Sequence, residues 1–144
     1  MPNNTAVTPE AEQIARSVRS WLNTYPDKPM RMVDVEYLGE NSGLALETVQ
    51  AAYKTRTYIT GGYQAQYQFS ILYRTIPESA NQRLEADEVL NNYAAWAEAN
   101  PPTLPAPCVF SRLTRNTNAA LLERQPTDAE THQILFTLLY EVNV

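Results

Sequence analysis

Glycine, lysine, histidine and cysteine are all scarce in this chain of 144 residues, which holds four, two, one and one of them respectively. Four glycines leave neither a G-x-G-x-x-G nor a G-x-x-x-x-G-K stretch, so the usual phosphate cradles are excluded. A lone Cys108 forms no intramolecular disulfide and supplies no cysteine-based metal site. The only histidine, His132, would have to serve any Ser-His-Asp or Cys-His centre. There is no Gly-x-Ser-x-Gly elbow, and Cys108 sits among prolines and apolar residues with no adjacent base. His132 therefore reads as a structural or edge histidine on an apolar strand. No apolar run approaches the roughly 20 residues that cross a bilayer, and the N-terminal stretch lacks the basic and apolar regions of a secretory signal. The net charge of −5 argues against a phosphate-backbone binder, which carries a clustered basic footprint.

Carboxylates offer little more. Asp34/Glu36 and Asp87/Glu88 are the candidate pairs, and neither is framed by the apolar or aromatic residues that would raise one pKa for acid–base work. Asp34 and Glu36 share a strand face, but next to no third metal ligand. No cofactor, metal or catalytic residue is expected, and the chain reads as an assembly component and not as an enzyme.

What the chain has instead is tyrosine and arginine, nine of each. Both are enriched in protein–protein interfaces, where lysine is depleted. At this length one domain is expected, able to bury roughly 70% of its unfolded surface without a disulfide or metal.

The pattern gives an α+β domain. Residues 1–7 read as a polar, flexible N-terminus. Thr8-Pro9-Glu10 starts a helix, with a hydroxyl at the cap and proline at the first helical position. Ile14, Val18, Trp21 and Leu22 form its apolar stripe, and Pro26 and Pro29 end it. Val33, Val35 and Tyr37 then alternate with Asp34 and Glu36 as a half-buried strand. A turn over Gly39–Gly43 leads to a second strand, Leu44–Val49. Tyr53–Ile59 is a third, rich in β-formers, and Thr60-Gly61-Gly62 supplies the positive φ of a tight hairpin. In the next strand Ala65, Tyr67, Phe69, Ile71 and Tyr73 face one way, while Gln64, Gln66, Gln68 and Ser70 face the other. Ser79 and Gln82 have capping-box spacing and open a helix to Ala99, with Ala86, Val89, Leu90, Tyr93, Trp96 and Ala97 inward. A proline-rich connector, Asn100–Pro107, precedes a strand from Cys108 to Thr114. Asn116–Glu130 reads as a long loop, and His132–Val142 as the last strand. Leu135 and Leu139 on its reverse side indicate a central position or a second covered face. The expected order is α-β-β-β-β-α-β-β: about six largely antiparallel strands with two helices on one face.

The candidate subunit or partner interface consists of Arg56, Tyr58, Tyr63, Gln66, Gln68, Arg74, Arg115, Leu121, Leu122 and Arg124. An amide, hydroxyl and guanidinium face poor in Lys and Glu reads either as a docking surface or as the wet side of the sheet. The apolar quartet Ala119–Leu122 either orders against a partner or packs on its own domain.

An N-terminal helix ending in Trp21-Leu22, then Tyr58-Ile59-x-Gly61-Gly62, Tyr67-x-Phe69-x-Ile71, a Tyr73-Arg74 strand end and a second helix closing on Trp96 together resemble the tail-terminator or minor capsid proteins of long-tailed bacteriophages. The resemblance spans about residues 10–142. It implies a structural virion protein of the tail or neck, assembled in the bacterial host cytoplasm, that forms a ring, commonly a hexamer. The ring would stop polymerisation of the tail tube protein and meet the head-completion or connector protein, with DNA passing through unbound. It implies no catalytic residue. The alternative is a small non-catalytic binding domain for a peptide or small ligand.

Overall fold

Two 13-residue strands whose side chains alternate between apolar and polar over most of their length organise the molecule. In the computed structural model, which describes residues 9–29, 33–35, 38–39, 42–49 and 53–143, these are β4 (Tyr63–Thr75) and β7 (Glu130–Val142). They pair antiparallel without a register break, from Tyr63 opposite Val142 to Thr75 opposite Glu130. The outer side of β4 is shared by β2 (Gly43–Val49) and β3 (Lys54–Thr57), and that of β7 by β5 (Cys108–Arg115) and β6 (Ala120–Arg124). A two-residue β1 (Asp34–Val35) runs parallel to β2 at the sheet's margin.

Period-2 alternation sends Ala65, Phe69 and Ile71 of β4 and Ile134, Phe136, Leu138 and Tyr140 of β7 to one face, where they are fully buried. Phe69 and Phe136 stack across the ladder with centroids 5.1 Å apart. Both helices cover this face and no other: α1 (Pro9–Leu22) through Ile14, Val18 and Leu22, and α2 (Ala80–Ala99) through Leu90, Tyr93 and Ala94, all in one apolar cluster with the strands. Each fully buried side chain of this size contributes roughly 1.5–3 kcal/mol. Ser79 caps α2 as its spacing predicts, its Oγ accepting from the Gln82 amide (3.2 Å) while Gln82 Oε1 accepts from the Glu78 amide (2.6 Å). The aromatic ends of the helices meet: Trp21 stacks on Trp96 at 5.6 Å, and Trp21 Nε1 donates to the Asn100 carbonyl at 2.6 Å. The Tyr93 hydroxyl donates to the Leu22 carbonyl, satisfying an acceptor left open at the end of α1.

The hairpin between β3 and β4 turns at Gly61, whose φ of 97° a residue with a Cβ rarely adopts. Gly62 is required for another reason, since a Cβ there would lie 2.8 Å from the Val142 carbonyl oxygen.

Four expectations change. The sheet has seven strands among the described residues, because Asn116–Glu130 is not a continuous loop: Ala120–Arg124 forms β6 on the edge of β7, and the last strand starts at Glu130. Ala-Leu-Leu-Glu-Arg has no strand period, and its conformation is imposed by the β7 edge. The first strand begins at Asp34, and its half-buried alternation is not seen there: Val33 is buried but precedes it, and Asp34 and Val35 are both exposed. Tyr37 and Glu36 lie outside the described residues, as do residues 1–7 and Thr8. Finally, α1 ends at Leu22, four residues before Pro26, where Asn23 and Thr24 close the last turn through Arg19 and Trp21 carbonyls. Its successor Tyr25 is buried on Tyr93 at a centroid distance of 4.4 Å.

Burial, then the neighbouring Tyr25, pushes the Tyr93 phenol well above its ordinary value of 10.0. Its contribution to stability is therefore complete below pH 10.0 and is lost as pH rises toward the higher folded value. Tyr93→Phe should cost about 1–3 kcal/mol at neutral pH in urea unfolding, through the orphaned Leu22 carbonyl, and should weaken the alkaline loss of stability.

Candidate docking surface

Because α1 and α2 share one face, the other face of the sheet carries no helix among the described residues. Register places its side chains in rows across the strands. Glu47, Ser70 and Leu135 form one row; Val49, Gln68, Thr137 and Thr114 the next; then Gln66, Leu139 and Arg112; then Arg56, Gln64, Glu141 and Val109. Gln66, Gln68, Leu135, Thr137 and Leu139 are half-buried, and Ser70 is buried. Amides and hydroxyls thus lie over a shallow floor that includes two leucines.

The ten candidate residues do not form one surface. Arg56, Gln66 and Gln68 lie on this open face. Tyr58 borders it, its hydroxyl donating to Glu141 Oε1 (2.7 Å) while Gln64 Nε2 donates to Glu141 Oε2 (3.0 Å). The hydrogen bond to Glu141, with burial and the carboxylate's charge, raises the Tyr58 phenol above 10.0 despite the opposing effect of Arg56. Arg74 is on the open face yet largely committed internally: it donates to Thr131 Oγ1 (2.9 Å) and the Gly39 carbonyl (3.0 Å) and lies 3.4 Å from Glu123. Tyr63 belongs to the helix-covered side, under the Lys54 ammonium at 4.2 Å from its ring. Arg115 is also on the helix side, paired with Glu98 of α2 at 2.5 Å. Leu121, Leu122 and Arg124 are on β6, where the two leucines are 47% and 46% exposed. Ala119 instead packs against the core. Leu139, Thr137 and Arg112, absent from the ten candidates, lie beside Gln66 and Gln68 through the pairing of β4, β7 and β5.

A second constellation lies under the N-terminal half of α2. Glu130, with a side chain 1% exposed, receives Arg83 Nε of α2 (2.8 Å) and Arg124 Nε and Nη2 of β6 (2.9 and 2.8 Å) on Oε2. His132, 2% exposed, places Nδ1 2.7 Å from Asp87 Oδ1 of α2 and Nε2 3.5 Å from Glu130 Oε1. Glu130 Oε1 and His132 Nε2 have no hydrogen-bond partner among the described residues. From β4, Thr75 stands opposite Glu130 and Tyr73 opposite His132; from β6, Glu123 stands opposite Thr131. Asp87 is thus not a lone surface acid: a partner 45 residues away takes it up. Among the described residues no group of three or more His, Cys, Asp or Glu side chains is arranged to hold a metal ion.

No protein-family model matches the chain, and no curated protein does. Among solved structures, a chain of the virion of a native gene transfer agent (GTA) particle superposes with a TM-score of 0.54 at 14% identity, covering 76% of this chain and 77% of that one. The likeness shows a shared fold.

Burial alone would raise the Glu130 pKa, but the hydrogen bonds and charges of Arg83 and Arg124 outweigh it and hold the carboxyl below its ordinary 4.5. Its stabilisation is complete above pH 4.5 and is lost as pH falls through the lower folded value. Arg83→Gln with Arg124→Gln should cost roughly 3–5 kcal/mol in urea unfolding, because it strands a buried carboxylate. Glu130→Gln should cost less, since both guanidinium groups are about half-exposed and can turn to water. The acid limb of the stability curve should flatten in Glu130→Gln.

Proposed function

We propose that this protein is a non-catalytic structural component of a phage-like virion, and within that class a tail-terminator subunit. The observation that carries the proposal is the fold shared over three-quarters of both chains with a gene transfer agent virion chain. The sequence resemblance supports the same reading from independent residues, among them Trp21 and Trp96, which stack, and Gly61-Gly62, which turns the hairpin.

On this reading the chain assembles into a closed ring, of hexameric type, at the head-proximal end of the tail tube, in the neck of the virion. Head-to-tail closure needs two different side surfaces on each subunit. The sheet supplies them: one flank is built from β2 and β3, the other from β5 and β6. The open face, with Gln66, Gln68, Thr137 and Leu139, is a further surface for the tail tube protein or for the head-completion or connector protein. The net charge of −5 suits a conduit through which DNA slides without being held. A second reading, a small binding domain, draws on an open cavity of about 370 Å³ lined by Leu38, Glu47, Leu72, Arg74, Leu122, Glu123 and Thr131.

Tails assembled without the protein and viewed by electron microscopy should be overlong, and adding it back should restore their length. Tails of normal length without it would refute the terminator role. Gln68→Lys with Leu139→Lys, placed on the open face, should leave the circular-dichroism spectrum and melting temperature nearly unchanged while abolishing length control. Unchanged length control would remove that face from the interface.

A further inference from the structure

Like β3, the strand β6 is attached without apolar burial, but it alone of the two is tied to a buried acid. All five of its residues are exposed, and none belongs to the apolar cluster that holds β2, β4, β5 and β7 to the helices. Its ladder on β7 is short and interrupted, with a register shift between Leu121 and Glu123. What fastens it beyond backbone pairing is ionic: Arg124 on the buried Glu130, and Glu123 on Arg74 at 3.4 Å. Its two ends differ. On one side Asn116 donates through its amide to the Leu135 carbonyl (2.8 Å) and through Nδ2 to Thr137 Oγ1 (2.8 Å), and Thr117 Oγ1 accepts from the Leu135 amide (3.2 Å), which pins the chain to β7. On the other side is a turn in which Asp128 holds a φ of 69° and the Gln125 amide donates to the Ala129 carbonyl at 2.7 Å, and from this end the strand can swing.

Local stability follows buried apolar contact, and segments held mainly by exposed backbone bonds open before the core does. From this arrangement we infer that β6 is a detachable strap, opening from β7 while the remaining sheet stays folded, and that Glu130 is its clasp. Glu130 suits the task because it lies at the start of β7, fully buried, and its Oε2 is shared between α2 and β6 through Arg83 and Arg124. Ordinary surface pairs contribute little because water competes for both partners. Here the carboxylate has no water to return to, so losing Arg124 leaves it half-compensated and the strap favours the closed state. Opening uncovers the edge of β7 from Glu130 to Gln133, together with both exposed leucines of β6. The device stands apart from the virion reading, and the failure of either leaves the other intact.

Hydrogen exchange on the full chain tests it. Amides of residues 121–124 should exchange at least about tenfold faster than those of 134–140. Glu130→Gln should accelerate 121–124 by about a further tenfold, well beyond any change in 134–140. Arg124→Gln should act in the same direction without touching α2, and it decides the matter if Glu130→Gln does not fold. Protection of 121–124 equal to that of 134–140, or equal acceleration of both segments in the variants, would overturn the strap and make Glu130 an ordinary part of the core.

Discussion

The unbroken register between β4 and β7 is the constraint on which everything else rests. A slip of one residue would turn one strand over relative to the other, sending either Phe69 and Ile71 or Phe136 and Leu138 away from the helices and bringing Gln68 and Ser70, or Thr137, beneath them. The aromatic and branched side chains of the two inner faces, stacked at Phe69 and Phe136, exclude that alternative. With the register fixed, β2, β3, β5 and β6 pair on the outer sides of β4 and β7, and β1 adds to β2. Each outer side accommodates two short strands end to end, giving a wide sheet on a two-strand spine.

The same constraint decides where the molecule is polar. Helices cover one face, so the alternation that fills the core also lines the opposite face with Gln64, Gln66, Gln68 and Thr137. Such a face without its own helix is an unusual place for half-buried leucines, yet Leu135 and Leu139 are there because β7 lies between β4 and the β5/β6 pair. Their partial burial comes from the strands beside them. What distinguishes this face from an ordinary wet surface is the neutrality of its central rows, in which Arg112 is the only charged residue beside Gln66, Gln68, Thr137 and Leu139. Neutral amides and hydroxyls are cheaper to desolvate than ammonium or carboxylate groups.

How much of this was legible in the sequence follows from which interactions are local. The strand β4 and most of β7 announce themselves by strict alternation, α2 by Ser79 and Gln82, and the hairpin by Gly61-Gly62. All of these signals lie within a few residues of what they specify. The strand β6 was not legible because Ala120–Arg124 favours helix by composition and becomes a strand only through the edge it meets. Where the candidate interface residues sit in the fold was not legible. Arg74 and Arg115 look like free guanidinium groups in one dimension, whereas the fold gives them Thr131, Gly39 and Glu98. The Asp87–His132 and Arg83–Glu130 contacts join residues 45 and 47 positions apart, and no periodicity carries that information.

The ionic cluster also shows how a sheet of this shape manages its end. Phe69 and Phe136 are fully buried in the apolar cluster, whereas at Glu130–His132 the fold turns to charge. A buried acid is costly without partners, and here it finds them from a helix and from an edge strand that otherwise contribute little burial at that position. The consequence is a division of labour. Apolar burial fixes the spine irrespective of surroundings, whereas β6 depends on a carboxylate whose partners remain half in water. On each flank one strand is anchored in the core, β2 by Leu44 and Leu46 and β5 by Cys108, while its companion, β3 or β6, is exposed throughout. Sequence alternation alone could not have provided the clasp, since the Arg83–Glu130 contact joins residues 47 positions apart.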